Sequence, residues 1–354
     1  MKTIDRYIAR SVAASSFLVL VVLLALFSLV TLVGELQDVG KGSYQLIDAV
    51  QVILLTLPGL TYQLMPLVAL LGTTLGLGML ALNNELVVLR ASGISLGRVV
   101  MSVMRVGLVL IVIAIVLGEW VAPRTEQLGQ SLRATALHEP VTLKTDKGFW
   151  ARDGKRFINI RQVFPDGRLG DIRIFELDDK YRLRETVHAA TASYQGDEWL
   201  LEDIVRTVIG DGQVTTDRLP EASWQSLIDP GLIDVVAVNP EKLSAWGLYK
   251  YIEYLHDNSL AAGRYELALW GKIMAPVATG VMVFLAVPFI FGSLRSVSIT
   301  QRILVSAFIG IGFHIFNQTV NYVALVYDFY PAVSAVLPTL LFFLVALLLL
   351  RRAS

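Results

Sequence analysis

Hydrophobic residues fall in six runs, 12–34, 60–82, 99–121, 273–294, 303–327 and 329–350, separated by short charged patches and one long polar middle. Each run is close to the roughly 20 residues an α-helix needs to cross a bilayer core, so the pattern predicts six transmembrane helices. The second has an earlier lead-in. No charge occurs between Asp48 and Glu85, and Pro58 and Pro66 in that stretch predict an interfacial or kinked approach to the crossing. The third carries Arg105 near one end and Glu119 near the other, where long side chains snorkel to opposite surfaces. Lys2, Arg6 and Arg10 ahead of the first run imitate a signal peptide, but the run is long enough to span and no small-residue cleavage site follows. It reads as an uncleaved span.

In the middle of the chain the period changes from helical to alternating. Residues 149–152 and 155–163 flank Asp153-Gly154, a pair that favours a two-residue hairpin because both positions tolerate positive φ. Further strands are expected at 171–177, 181–194, 199–209 and 223–227, between Pro165-Asp166-Gly167, Asp178-Asp179, Gly196-Asp197 and Gly210-Asp211-Gly212. An all-β sandwich is the natural fold. Asn239-Pro240 then opens a helical stretch in which Leu243, Trp246, Tyr249, Tyr251, Ile252 and Leu255 alternate with Lys250, Glu253 and His256. This predicts an amphipathic helix near the membrane surface. The expected organisation is three spans over 1–122, a β domain over 123–240, the amphipathic helix over 241–263 and three more spans over 264–354.

Composition agrees with the pattern. Of 354 residues, 55% are hydrophobic, and mean hydropathy is +0.60, so much of the chain belongs in lipid. Lys plus Arg and Asp plus Glu number 30 each, and this balance gives no basic surface for a nucleic-acid partner. Their distribution sets the topology. Lys2, Arg6, Arg10, Arg90, Arg98, Arg105, Arg295, Arg302, Arg351 and Arg352 flank the runs on one side, whereas the opposite short loops carry only Lys41 beside Glu35, Asp38, Asp48 and Asp328. Positive residues resist translocation, so both termini are expected in the cytoplasm and the polar middle outside it. With no cysteine, neither disulfides nor thiolate metal sites are available.

Candidate chemistry is sparse. Gly93-Ile94-Ser95-Leu96-Gly97 matches the G-x-S-x-G pattern of a nucleophile elbow but lacks a preceding strand, and His138, His188 and His256 are expected across the membrane from Ser95. Gly34 to Gly42 imitates a phosphate-binding loop, yet its glycine spacing is one residue too long and Gly42 stands where Ser or Thr must hold magnesium. The four histidines are scattered, without metal-ligand spacing. His314, Asn317, Gln318 and Asn321 recur at i, i+3, i+4, i+7 and form one polar stripe, read either as interhelical hydrogen-bond glue or as the lining of a path for an amphiphile. Gly72 and Gly76 form a G-x-x-x-G. No carboxylate lies deep in a span, which argues against an ion-coupled carrier. Energy for transport is then expected from a partner, and the segment 84–98 is either a docking element or an ordinary positive loop.

Several of these stretches together resemble a known family. They are Ile4-Asp5-Arg6-Tyr7-Ile8, Gly76-Leu77-Gly78-Met79-Leu80 to Asn84-Glu85-Leu86-Val87-Val88-Leu89-Arg90-Ala91-Ser92-Gly93, Gly118-Glu119-Trp120-Val121-Ala122-Pro123, Gly263-Arg264-Tyr265-Glu266-Leu267 and Phe289-Ile290-Phe291-Gly292-Ser293-Leu294-Arg295-Ser296. They resemble the lipopolysaccharide export permeases of the LptF/LptG family, on its LptG side, over nearly the whole chain. The resemblance implies a membrane α-helical bundle of three plus three spans with an inserted periplasmic β-jellyroll. It also implies a non-enzymatic subunit of an ABC transporter that takes lipopolysaccharide from the inner membrane toward a periplasmic bridge. The implied partners are a homologous LptF-type permease, a cytoplasmic LptB-type ATPase dimer that holds the ATP and magnesium, and a single-span LptC-type protein beside the first span. Glu85, Leu86, Leu89 and Arg90 map onto the coupling helix. Some members carry basic residues at the outer end of the first span to meet lipid phosphates. Here Thr31, Gln37 and Asp38 stand there, leaving Lys41, Arg124 and Arg133 as the candidate contacts. The alternatives are another ABC permease for lipid or lipoprotein, and a membrane-embedded serine hydrolase using Ser95.

Overall fold

The computed structural model describes residues 3–137, 141–142, 149–164, 167–178, 180–195, 198–210, 213–224, 240–258, 260–291 and 298–353. Helices α1 (Thr3–Leu36), α2 (Leu46–Leu82), α3 (Glu85–Ala91), α4 (Leu96–Val116) and α5 (Ala122–Leu137) open the chain, and a π turn, Leu117–Val121, joins α4 to α5. Strands β1 (Val141–Thr142), β2 (Phe149–Asp153), β3 (Arg156–Val163), β4 (Leu169–Leu177), β5 (Leu183–Gln195), β6 (Glu198–Ile209) and β7 (Val214–Trp224) follow. A 3-10 turn, Pro240–Lys242, then leads to α6 (Ala245–Asp257), α7 (Gly263–Phe291), α8 (Ile299–Val326) and α9 (Pro331–Ala353). Among the described residues, six helical runs are long and apolar enough to cross a membrane: α1, α2, α4 with α5, α7, α8 and α9. The β insertion separates three from three. The expected motif residues His138, Asn239 and Gly292 to Ser296, like turn residues Asp166, Asp179, Gly196, Asp197, Asp211 and Gly212, lie outside the described residues.

The second span is the hub of the bundle. Its lead-in is no separate interfacial piece: Pro58 and Pro66 sit inside one 37-residue helix. A proline removes one ladder hydrogen bond, and a span buried among neighbouring helices tolerates that loss. Most of the apolar window of α2 is buried (72%), against none of the corresponding window of α1 and 17% of that of α8. Gly72 and Gly76 explain how α1 rides on it. A Cβ at Gly72 would lie 2.4 Å from the Ser16 Cα, and one at Gly76 would lie 2.7 Å from the Val12 Cα, so only glycine permits this approach. The Ser11 hydroxyl donates to the Gly76 carbonyl across the same seam at 3.2 Å. Helix α8 also packs on α2, where Gly310 meets Leu67 and the buried Thr74 and Ser306 hydroxyls lie 3.0 Å apart. One core, containing Val12, Leu70, Leu77, Leu86, Val103, Met282 and Val287, unites these helices.

The third span does not stop at Pro123. Residues 123–137, expected in the β domain, belong to α5, which continues the span as helix. The π turn supplies the reason. Proline cannot donate to the carbonyl four residues back, here Glu119, and a wider turn at 117–121 does not require that bond. Helix α5 is then tied down: Glu126, nearly buried, accepts from Lys242 Nζ at 2.6 Å.

The inserted domain is all-β as expected, with its described strands joined in one antiparallel sheet. Strands β3 to β7 run as a meander, and β1 and β2 pair with the free edge of β3. Ile158, Ile160, Leu169, Ile172, Ala189, Trp199 and Ile204 form the domain's apolar core. The first hairpin is displaced by one residue from expectation: Asp153 pairs with Arg156, so Gly154 and Lys155 make the turn, with Gly154 at φ +58°. The last described strand starts earlier than expected, at 214 rather than 223, and residues 225–227 of the expected strand lie outside the described residues. Pro220 and the polar Thr215-Thr216-Asp217 conceal it, and the proline is tolerated because, among the described residues, β7 is paired on one side only. Helix α6 begins at Ala245, after the 3-10 turn, because Ser244 caps it by accepting from the Gly247 amide at 3.0 Å.

Candidate functional site

Short helix α3 turns the chain from α2 into α4, at the end of the bundle remote from the sheet. Leu86 is only 4% exposed and belongs to the main core, and Leu89 packs against that core. These two expected docking residues are therefore anchors. A seven-residue helix with its apolar face buried presents the other face, and Val87 and Val88 are 48% and 65% exposed, with Arg90 outward as well. Glu85 is half-buried. Asn83 Nδ2 donates to its Oε1 at 3.2 Å, and the Tyr7 hydroxyl of α1 also faces it. Nearby, Asp5 joins α1 to α4 by accepting from Arg98 Nε (3.2 Å), Ser102 Oγ (3.1 Å) and Arg105 Nη1 (3.4 Å). Arg105 thus stays half exposed while it pairs with Asp5 of α1. The G-x-S-x-G segment forms the turn after α3 and the start of α4, with no strand before it and, among the described residues, no histidine on Ser95.

At the sheet end, the three candidate headgroup contacts separate. Arg133 of α5 binds Glu35 (3.3 Å) and Asp38, closing α5 onto the end of α1. Lys41 is exposed and pairs with Asp38 at 2.7 Å. These cations, Lys41 first, hold the Asp38 carboxyl below the usual carboxylate range. Arg124 is exposed and has no ion pair among the described residues. The structure thus brings Lys41 and Arg133 together around one carboxylate and leaves Arg124 apart. Tyr44, fully buried beneath them, donates to Glu35 Oε2 at 2.8 Å.

The polar stripe of α8 faces out of the chain. His314 and Gln318 are exposed, Asn317 and Asn321 are half-buried, and the Asn321 Oδ1 atom is buried without a partner among the described residues. Together with the bare apolar face of α1, this leaves two outer helices unsatisfied by the fold itself.

A fourth constellation escaped the sequence reading. Lys272 of α7 donates to the Gly118 carbonyl at 2.9 Å and lies 5.4 Å over the Tyr62 ring. Glu119, in the π turn, accepts the Ala245 amide at 2.7 Å and the Trp246 amide at 3.1 Å, so a carboxylate from the third span caps α6. Lys272, one residue before the fourth apolar run, was the available signal.

These features define a polytopic membrane protein of two three-span halves, with an extramembrane antiparallel domain between them and a small helix rigidly keyed to the core. A family model described as lipopolysaccharide export system permease LptF/LptG matches residues 6–352, so the chain belongs to that family. It is 36% identical over 354 residues to the lipopolysaccharide export system permease protein LptG of Escherichia coli strain K12, covering 99% of this chain and 98% of the relative. It is 37% identical over 355 residues to LptG of Haemophilus influenzae, covering 99% of each. The chain is accordingly a multi-pass inner-membrane permease of lipopolysaccharide export, a transport subunit and not an enzyme.

Proposed function

We propose that this chain works beside a homologous LptF-type permease, with an LptB-type ATPase dimer at α3 and an LptC-type single-span protein at α1. Both termini and α3 face the cytoplasm, and the sheet lies in the periplasm. ATP and magnesium act in the ATPase. Closure of that dimer pushes on α3, and because Leu86 is locked in the main core the push reaches α1, α2 and α4 as a rigid-body motion. The cavity between the two permeases narrows, and its lipopolysaccharide moves toward the sheet.

The observation that carries this reading is the division of α3 into a buried anchor, Leu86, and an exposed apolar pair, Val87 and Val88. An exposed pair on an element fixed to the core suits a groove on another protein. Lys41 and Arg124 meet the phosphates, while Arg133, held by two carboxylates, positions Lys41 through the shared Asp38. The outward stripe of α8 supports contact with the second permease or the lipid path over packing within the chain.

Val88→Asp tests the reading in the complete complex reconstituted in lipid, with ATPase retention and lipopolysaccharide release measured together. A charge in a desolvated groove is expected to lower both by about tenfold or more while membrane insertion is unchanged. Unaltered retention and release would remove α3 as the contact.

A further inference from the structure

A cleft of about 720 Å³ lies on the flank of the bundle between α4 and α7, with Tyr62 of α2 and Phe343 of α9 also in its wall. No residue of α1 or α8 lines it, so it is separate from the outer helices assigned to the export path. Its length is apolar, from Ile111 and Ile115 of α4 to Val277 and Phe284 of α7. Ile273 and Val277 are 47% and 46% exposed, so the mouth opens sideways, where the membrane supplies hydrocarbon.

One end is different. Lys272 lines it, and the Gly118 carbonyl and the Tyr62 ring engage only part of an ammonium that has three donors. The neighbouring Glu119 carboxylate is committed to the α6 amides. The depth of this end is marked by α6, whose first residue, Ala245, lines the cleft. Trp246 and Tyr249 stack at 5.9 Å and are 63% and 52% exposed, with Lys250 over the Trp246 ring. Exposed indole and phenol beside a lysine are the signature of the headgroup level, so Lys272 meets phosphates while the rest of the cleft meets chains.

We infer that the cleft holds one glycerophospholipid from the leaflet on the sheet side, with its phosphate on Lys272 and an acyl chain between α4 and α7. Its volume falls within the ~300–1,000 Å³ of sites for small ligands, which suits one acyl chain with its phosphate while the rest of the lipid stays in the bilayer. An apolar slot lends affinity without selectivity, and the ammonium gives the phosphate a fixed address. The inference rests on the chain spanning a membrane and is independent of coupling through α3.

The test uses the full complex in nanodiscs doped with phosphatidylethanolamine carrying a photoactivatable acyl chain, with adducts mapped by mass spectrometry. Labelling is expected at 111–115 and 273–277. Lys272→Gln should reduce it about tenfold relative to a lipid-facing reference on α1, whereas Lys272→Arg retains it. Val277→Trp, which fills the slot without touching the ammonium, should reduce it too, and it serves if Lys272→Gln does not fold. Equal labelling in wild type and the variants would reduce the cleft to ordinary boundary lipid. Displacement of the probe by added lipopolysaccharide would assign it to the export substrate; either result overturns the inference.

Discussion

Single residues decide how the two outer helices are held. A β-carbon at Gly76 cannot be relieved by rotating a side chain, because the atom it meets is the Val12 backbone. Gly76→Val should therefore lower stability by about 1–3 kcal/mol, seen as a reduced melting temperature in detergent, with α1 the element released to proteolysis. Gly93→Ala, by contrast, meets open space and strains only a positive φ, so its effect stays local to the turn after α3. Sequence alone showed the G-x-x-x-G but not its use, since the motif says nothing about which helix approaches it. The same limit hid Glu119 as a helix cap: its partners, Ala245 and Trp246, lie more than a hundred residues away.

At the scale of elements, α3 illustrates how a pattern is legible while its orientation is not. Glu85-Leu86-Val87-Val88-Leu89-Arg90 has apolar residues on every side, so the sequence cannot say which of them are buried. Contact with α2 and the main core chooses Leu86 and Leu89, leaving the two valines outside. Leu86→Ala should thus act on stability, by about 2 kcal/mol or more in a thermal or denaturant series, whereas Val88→Asp acts on partner binding. Helix α5 teaches the converse lesson. Its low hydropathy and Pro123 argue for an end to the span, and the π turn, which depends on packing around Gly118 and Tyr62, carries the helix through.

For the whole molecule, the decisive question is which side the sheet faces. The chain has no cysteine, so single-cysteine variants report without background. In intact cells Arg184→Cys, on exposed β5, should react with an impermeant maleimide, and Arg90→Cys, on α3, should react only after permeabilisation. The reverse pattern would invert the proposed topology and separate α3 from any cytoplasmic ATPase. The bare faces of α1 and α8 belong to this scale as well. An apolar face in lipid needs no covering, but His314, Gln318 and the Asn321 oxygen of α8, which has no partner among the described residues, do need polar company.

The number of spans, their grouping as three and three, the β character of the insertion and the family were all determined by the sequence itself. Each rests on local quantities: run length against bilayer thickness, alternation against helical period, and runs of identical residue types. Only the tertiary structure decided that the described strands join in one antiparallel sheet, that the third span continues past a proline, that Arg133 is tied to acids, and that Lys272 stands over a cleft. Those outcomes depend on which distant groups meet. A chain pattern records what each segment must bury or expose, and only packing determines against what.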